Sequence, residues 1–163
     1  RTHPEVVTKV RRDHPDNGDK GLDLFARAEL ANSLGVDAFF SIHCNASDGS
    51  GKARGFEVWA PPGFQERHKK SLQLATAVNA KLAELKLSND RGVKGPDAPP
   101  QTWESRWAKQ LVVLNSTTVP AALAECLFYD NDEDAALLKD PVAIRAMGGA
   151  MANGIVSWLD PLG

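Results

Sequence analysis

The sequence has little cysteine, methionine or tyrosine: two, two and one in 163 residues. The two thiols, Cys44 and Cys126, are too few to staple a small scaffold, and neither stands in the C-x-x-C spacing of a zinc finger. No apolar run approaches the roughly 18 residues of a membrane span. Neither an initiator Met nor the apolar stretch of a signal peptide opens the chain, so residues 1–5 read as the interior of a longer product. Charge of one sign is missing too. Nineteen basic against 21 acidic side chains leave a formal −2, and no general basic field would draw a nucleic acid or an anionic membrane. Residues 48–52 are glycine-rich but lack the G-x-x-x-x-G-K-[ST] spacing of a phosphate loop. The G-x-S-x-G elbow of a serine hydrolase is also absent.

What remains is the composition of one folded domain, 17.6 kDa with 42% hydrophobic and 25% charged residues, with neither repeats nor a low-complexity linker. The β-branched alternation of residues 6–11 predicts a strand, followed by a turn through residues 13–19. Leu22, Phe25, Ala28 and Ala31 predict a helix stopped by Gly35. Residues 37–44 and 55–60 read as buried strands, and Leu72, Ala75, Val78 and Leu82 as the stripe of a long helix over residues 65–86. Residues 92–100 read as loop. Two apolar runs, 111–114 and 121–124, are further strand candidates. Acids at 130–134 fit a helix start better than a calcium site. A closing helix spans 141–159, with Gly148, Gly149 and Gly154 permitting close approach. The alternation predicts an α/β fold with a mostly parallel central sheet of about five to six strands, within the usual range, and helices on both faces.

In an open α/β sheet, ligands bind beyond the carboxyl ends of the strands, and two polar residues end apolar runs there. Glu125 closes 121–124. A carboxylate emerging from a buried strand is costly unless a metal, a cation or several donors compensate it. His43 closes 39–42, and taken alone is as readily a satisfied structural histidine as a ligand.

Arg27-Ala28-Glu29-Leu30-Ala31-Asn32 and Asp37-Ala38-Phe39-Phe40-Ser41-Ile42-His43-Cys44-Asn45-Ala46 resemble the R-x-x-x-A-N and A-D-x-F-x-S-I-H-x-N-A stretches of the zinc-dependent N-acetylmuramoyl-L-alanine amidases of the amidase-3, AmiC-like type. Gly55-Phe56-Glu57-Val58, Asp90-Arg91-Gly92-Val93-Lys94, residues 111–114 and Val119-Pro120-Ala121-Ala122-Leu123-Ala124-Glu125, with Phe128 and Asn131, follow in the family's order. The resemblance implies one Zn2+ at the sheet edge held by a His, a Glu and a second His. It places His43 as the second His and Glu125 as the catalytic base, acting on the peptidoglycan bond between N-acetylmuramic acid and the L-Ala of the stem peptide. A zinc-bound water and a carboxylate that takes its proton suit that chemistry.

The family's first His, in a D-x-G-H-G loop, and its ligand Glu are not in the sequence, and His3 and Glu5 fall at the wrong place to replace them. Residues 1–163 are therefore expected to be an N-terminally incomplete catalytic domain. In isolation it is expected to bind zinc poorly, to be inactive, and to be weakly stable or associated with a partner chain. The rival expectation is a non-catalytic peptidoglycan-binding or regulatory relative without a complete metal site. A cell-wall location, extracellular or periplasmic, follows from the resemblance, as does a separate wall-binding domain or an activator. His14 and His68 read as exposed. Cys44 and Cys126 read as buried thiols, with a disulfide as the alternative. Lys52, Arg54, Arg91 and Lys94 are candidates to touch the acidic stem peptide. Trp103 and Trp107 are readable as a sugar platform or as core, and residues 95–107 as a groove rim.

Overall fold

The computed structural model describes residues 3–63, 65–95 and 108–160. In chain order the elements are α1 (Pro4–Asp13), α2 (Asp19–Leu34), β1 (Phe39–Asn45), β2 (Phe56–Trp59), α3 (Glu66–Glu84), β3 (Asp90–Lys94), α4 (Val112–Ser116), β4 (Ala121–Phe128), α5 (Asp132–Lys139) and α6 (Pro141–Leu159). The four strands form one sheet in the order β1-β4-β2-β3. β1 runs parallel to β4 and β3 parallel to β2, while β4 and β2 meet antiparallel. The expected α/β architecture is present, with four strands among the described residues where five to six were predicted.

Side chains alternate across each strand, so the sheet has two differently covered faces. Phe56, Val58, Ala60, Ala122, Ala124 and Cys126 pack against Leu74, Val78 and Leu82 of α3 and Met147 and Met151 of α6. On the opposite face Trp59, Ala121 and Leu123 meet Val113 and Leu114, with Leu24 of α2 and Phe39 at the margin. α3 and α6 touch through Gly154, where a Cβ would stand 2.6 Å from the Val78 Cα. Only this one of the three predicted contact glycines is used. A Cβ at Gly148 or Gly149 would meet nothing within 4 Å.

Four expectations need correction. Residues 6–11 are helical, not a strand: Val6 and Val10, one turn apart, form the buried stripe of α1, and Pro4 occupies its first turn without losing a needed hydrogen bond. The run 111–114 lies at the start of α4, a length at which an apolar run does not separate strand from helix. The predicted loop from residue 92 begins inside β3; residues 96–107, including Trp103 and Trp107, lie outside the described residues. β1, predicted as buried, pairs only with β4 among the described strands. Its second half is consequently exposed, Ile42 to 62%. α2 closes as predicted on Gly35, whose φ of 57° is the left-handed conformation a helix stop favours.

No helix among the described residues is long and apolar enough to cross a membrane.

Candidate active site

At one end of the sheet a row of polar residues crosses three strands. His43 lies opposite Glu125 in the β1–β4 pairing, and Glu125 opposite Glu57 in the β4–β2 pairing. Alternation puts all three on the face that carries Trp59 and Leu123. The two sequence-predicted residues are thus brought together, and Glu57 joins them.

Two register shifts complete the row. Between His43/Glu125 and Asn45/Phe128, Cys126 and Leu127 on β4 oppose Cys44 alone on β1. The extra residue sends Leu127 into the same core as Cys126 and leaves Phe128 to line the cleft on the site face. Between Phe56/Asp90 and Val58/Val93, Arg91 and Gly92 on β3 oppose Glu57 alone on β2. Gly92 absorbs the extra residue at a φ of 78°, and Arg91 is turned to Glu57. Bulges re-aim side chains in this way where a regular strand would point them elsewhere.

Glu57 is 3% exposed and well compensated. Its Oε2 accepts from Arg91 Nε at 2.7 Å, and its Oε1 from Asn45 Nδ2 at 3.1 Å and Trp59 Nε1 at 3.0 Å. Glu125 is the contrast. It is 8% exposed, its buried Oε2 has no hydrogen-bond partner, and burial, with a smaller contribution from the charge on Glu57, pushes its pKa up to about 7. A carboxyl of that kind holds or releases a proton near neutral pH, as a general base requires. His43 is exposed at the strand edge; partial burial of its ring, and then the charge of Arg27, hold its pKa below the ordinary histidine value. The neutral imidazole so favoured is the form that binds a metal.

Catalytic zinc takes three protein ligands and water. His43 is one candidate ligand, Glu125 stands in the place of the base, and both Glu57 oxygens are occupied. No group of three His, Cys, Asp or Glu side chains among the described residues is arranged to hold a metal ion. The residues described do not by themselves make a zinc site.

The loop from Asn45 to Gly55 is pinned over the site by the start of α5. Asp130 Oδ2 accepts from Ser47 N and Oγ at 2.9 and 2.6 Å, and Asn131 Nδ2 donates to Gly51 O at 2.6 Å. Arg54 pairs with Glu133. Asp134, fully buried, accepts from Gly55 N, Phe128 N and Ser88 Oγ at 2.7, 3.0 and 2.6 Å, joining the start of β2 to the end of β4. Asn131 also caps α5, in keeping with the reading of 130–134 as a helix start. Beneath the loop lies a cleft of ≈ 290 Å³ lined by Asn45, Ala46, Ser47, Ala53, Glu57, Trp59, Arg91 and Phe128.

Other candidates sit elsewhere. His3 and Glu5 pair with each other at the start of α1. His14 is half-buried, stacked on Phe25 at 3.7 Å, and His68 is half-buried beside Arg67, at 2.6 Å, so neither is simply exposed. Both cysteines are free. Cys126 is buried against Met151, and burial first pushes its thiol up to about 12. Cys44 is exposed, contrary to the expectation of a buried thiol, because it stands on the open half of β1.

Glu57 stands in the sequence inside the family-like stretch Gly55-Phe56-Glu57-Val58. The reasoning that singled out Glu125, a carboxylate inside an apolar strand, applies equally to Phe56-Glu57-Val58-Trp59. Its pairing with Arg91 was hidden because both register shifts are tertiary.

The family model for N-acetylmuramoyl-L-alanine amidase matches residues 6–157. The endolysin of Bacillus phage SPP1 is 32% identical over 164 residues, covering 96% of this chain and 51% of that protein. The N-acetylmuramoyl-L-alanine amidase CwlM of Bacillus licheniformis is 31% identical over 137 residues, covering 84% of this chain and 46% of that protein. The chain thus spans about half the length of these curated relatives. The crystal structure of the N-acetylmuramoyl-L-alanine amidase from Clostridium difficile 630 shares the fold, with a TM-score of 0.69 at 24% identity over 97% of this chain and 82% of that one. With the family's sequence signature running through β1, β2, β3 and β4, the chain belongs to the N-acetylmuramoyl-L-alanine amidase family.

Proposed function

We propose that the protein is a peptidoglycan amidase working at the cell wall. It hydrolyses the amide between the lactyl group of N-acetylmuramic acid and the L-Ala of the stem peptide, with Glu125 as general base and His43 as one zinc ligand. The observation that carries this reading is Glu125 itself: a buried carboxyl with an unpartnered oxygen and a pKa pushed up to about 7, opposite an imidazole at the strand edge. Glu125 takes a proton from the attacking water and passes it to the departing L-Ala amine. The network on Glu57 keeps the neighbouring carboxylate fixed. Zinc, when bound with His43 as one of its ligands, would polarise the scissile carbonyl.

The shortfall in metal donors favours a second reading, a peptidoglycan-binding relative that does not turn over. Purified walls treated with the full-length protein separate the two. Amidase action exposes new α-amino groups on L-Ala without new reducing sugars, and Glu125→Gln exposes none. Binding without either product supports the second reading, and new reducing sugars without amines mean glycosidase chemistry and refute the proposal.

A further inference from the structure

We infer that Arg91 is a specificity residue that binds a carboxylate of the stem peptide in the cleft beside Glu125. The inference rests on the amidase reading for the identity of the substrate, but its observations are independent of the catalytic pair. The β3 bulge at Gly92 turns Arg91 onto the site face, and two contacts then fix its guanidinium. Nε donates to Glu57 Oε2 at 2.7 Å, and the guanidinium carbon lies 4.9 Å from the centre of the Phe128 ring. The β4 bulge brings that ring to the cleft. Two separate irregularities of the sheet therefore converge on one guanidinium.

Its two terminal nitrogens have no partner among the described residues, and Arg91 lines the ≈ 290 Å³ cleft with its side chain 31% exposed. A guanidinium held through Nε presents its outer edge as a planar fork, the geometry that matches a carboxylate through two parallel hydrogen bonds. Glu57 offsets the charge of Arg91 but engages only Nε, so the outer edge of the fork stays open for two further hydrogen bonds. Of the other three cations singled out in the sequence, Arg54 is engaged by Glu133 and lies 3.9 Å from Asp134, while Lys52 and Lys94 do not line the cleft.

The spacing fits an extended peptide. Arg91 stands two strands from Glu125, about 10 Å at the usual separation of about 4.8 Å, and a peptide laid across the sheet advances about 3.4 Å per residue. With the scissile carbonyl at Glu125, the carboxylate of the second stem residue falls within reach of the Arg91 fork.

The test compares N-acetylmuramoyl-L-Ala-D-Glu with N-acetylmuramoyl-L-Ala-D-isoglutamine, each with its γ-carboxyl capped as the methylamide so that the acid keeps one carboxylate and the amide none, as substrates of the full-length protein. The KM for the amidated compound is expected to be about tenfold higher or more, with kcat little changed, as loss of a charge-assisted contact made in ground and transition states alike requires. Arg91→Lys keeps a cation beside Glu57 but loses the fork; it is expected to raise KM for the acid more than KM for the amide, and so to shrink the preference for the acid. Binding of both compounds to the Glu125→Gln protein supplies the comparison without turnover. A preference for the acid there, with no cleavage by the wild type, supports Arg91's role while refuting the amidase reading. Equal affinities for acid and amide, or an Arg91→Lys effect of the same size on both, overturn the inference.

Discussion

Replacing Glu125 with Gln should change how stability depends on pH. A glutamate in the unfolded chain ionises near 4.5, whereas in the fold burial, reinforced by the charge on Glu57, pushes Glu125 up to about 7. The folded protein therefore holds this proton more tightly than the unfolded chain. The stability so contributed is whole below about pH 4.5 and is lost as the pH rises through about 7. At about 1.4 kcal/mol for each tenfold change in proton affinity, the loss across that window is about 3 kcal/mol, a large share of the 5–15 kcal/mol typical of a domain. Gln cannot ionise and carries no such dependence. Its amide group does place a donor where the unpartnered Oε2 now lies, at a cost of about 1–3 kcal/mol at every pH, so the change in the difference between the proteins is the informative quantity. Urea unfolding with a chelator present, which keeps metal off the carboxylate, measures it. Between pH 4 and pH 8 the variant is expected to gain about 3 kcal/mol relative to wild type. A difference that stays constant to within about 1 kcal/mol would refute the placement of Glu125 as a buried, uncompensated carboxyl.

Other substitutions probe what holds the site in place. Asp134→Ala strands the Gly55 and Phe128 amides and the Ser88 hydroxyl; at about 1–3 kcal/mol per unsatisfied group, a loss of at least about 3 kcal/mol is expected by denaturant unfolding, and less for Asp134→Asn, which retains an acceptor. Gly154→Ala drives a methyl into the Val78 backbone and is expected to cost about 1–3 kcal/mol. Gly148→Ala and Gly149→Ala, with open space around them, should instead stabilise by up to about 1 kcal/mol each through helix propensity, a contrast that thermal melts will show. Mass spectrometry after iodoacetamide should find one adduct on the native protein, at the exposed Cys44, and a second at the buried Cys126 only in denaturant.

Glu125 stood out in the sequence as a carboxylate closing an apolar run and His43 through its place in the amidase-like stretch, and the register of β1 on β4 sets them opposite each other. The long helices were legible from their stripes, α2 from the Gly35 stop and α5 from the acids at 130–134. α1 was not. Val6, Thr8 and Val10 satisfy a two-residue period locally, while the four-residue spacing of Val6 and Val10 gains meaning only when a neighbouring helix covers it. Arg91 and Phe128 were named in the sequence, but their place together on the site face was hidden for a different reason. Strict alternation along β3 and β4 assigns them to the opposite face, and one extra residue in each strand reverses that assignment. The cleft is built from those two reversals, so its lining is a property of strand pairing that no single segment carries.

The most direct measurement is mass spectrometry of a single defined muropeptide incubated with the full-length protein and, separately, with its Glu125→Gln variant. The wild type is expected to yield free stem peptide beginning at L-Ala and the intact N-acetylmuramic acid, with one water added across the bond. The variant, folded by its melting profile, should yield neither. Comparable turnover by the folded variant, or cleavage at any other bond, would contradict the proposed reaction.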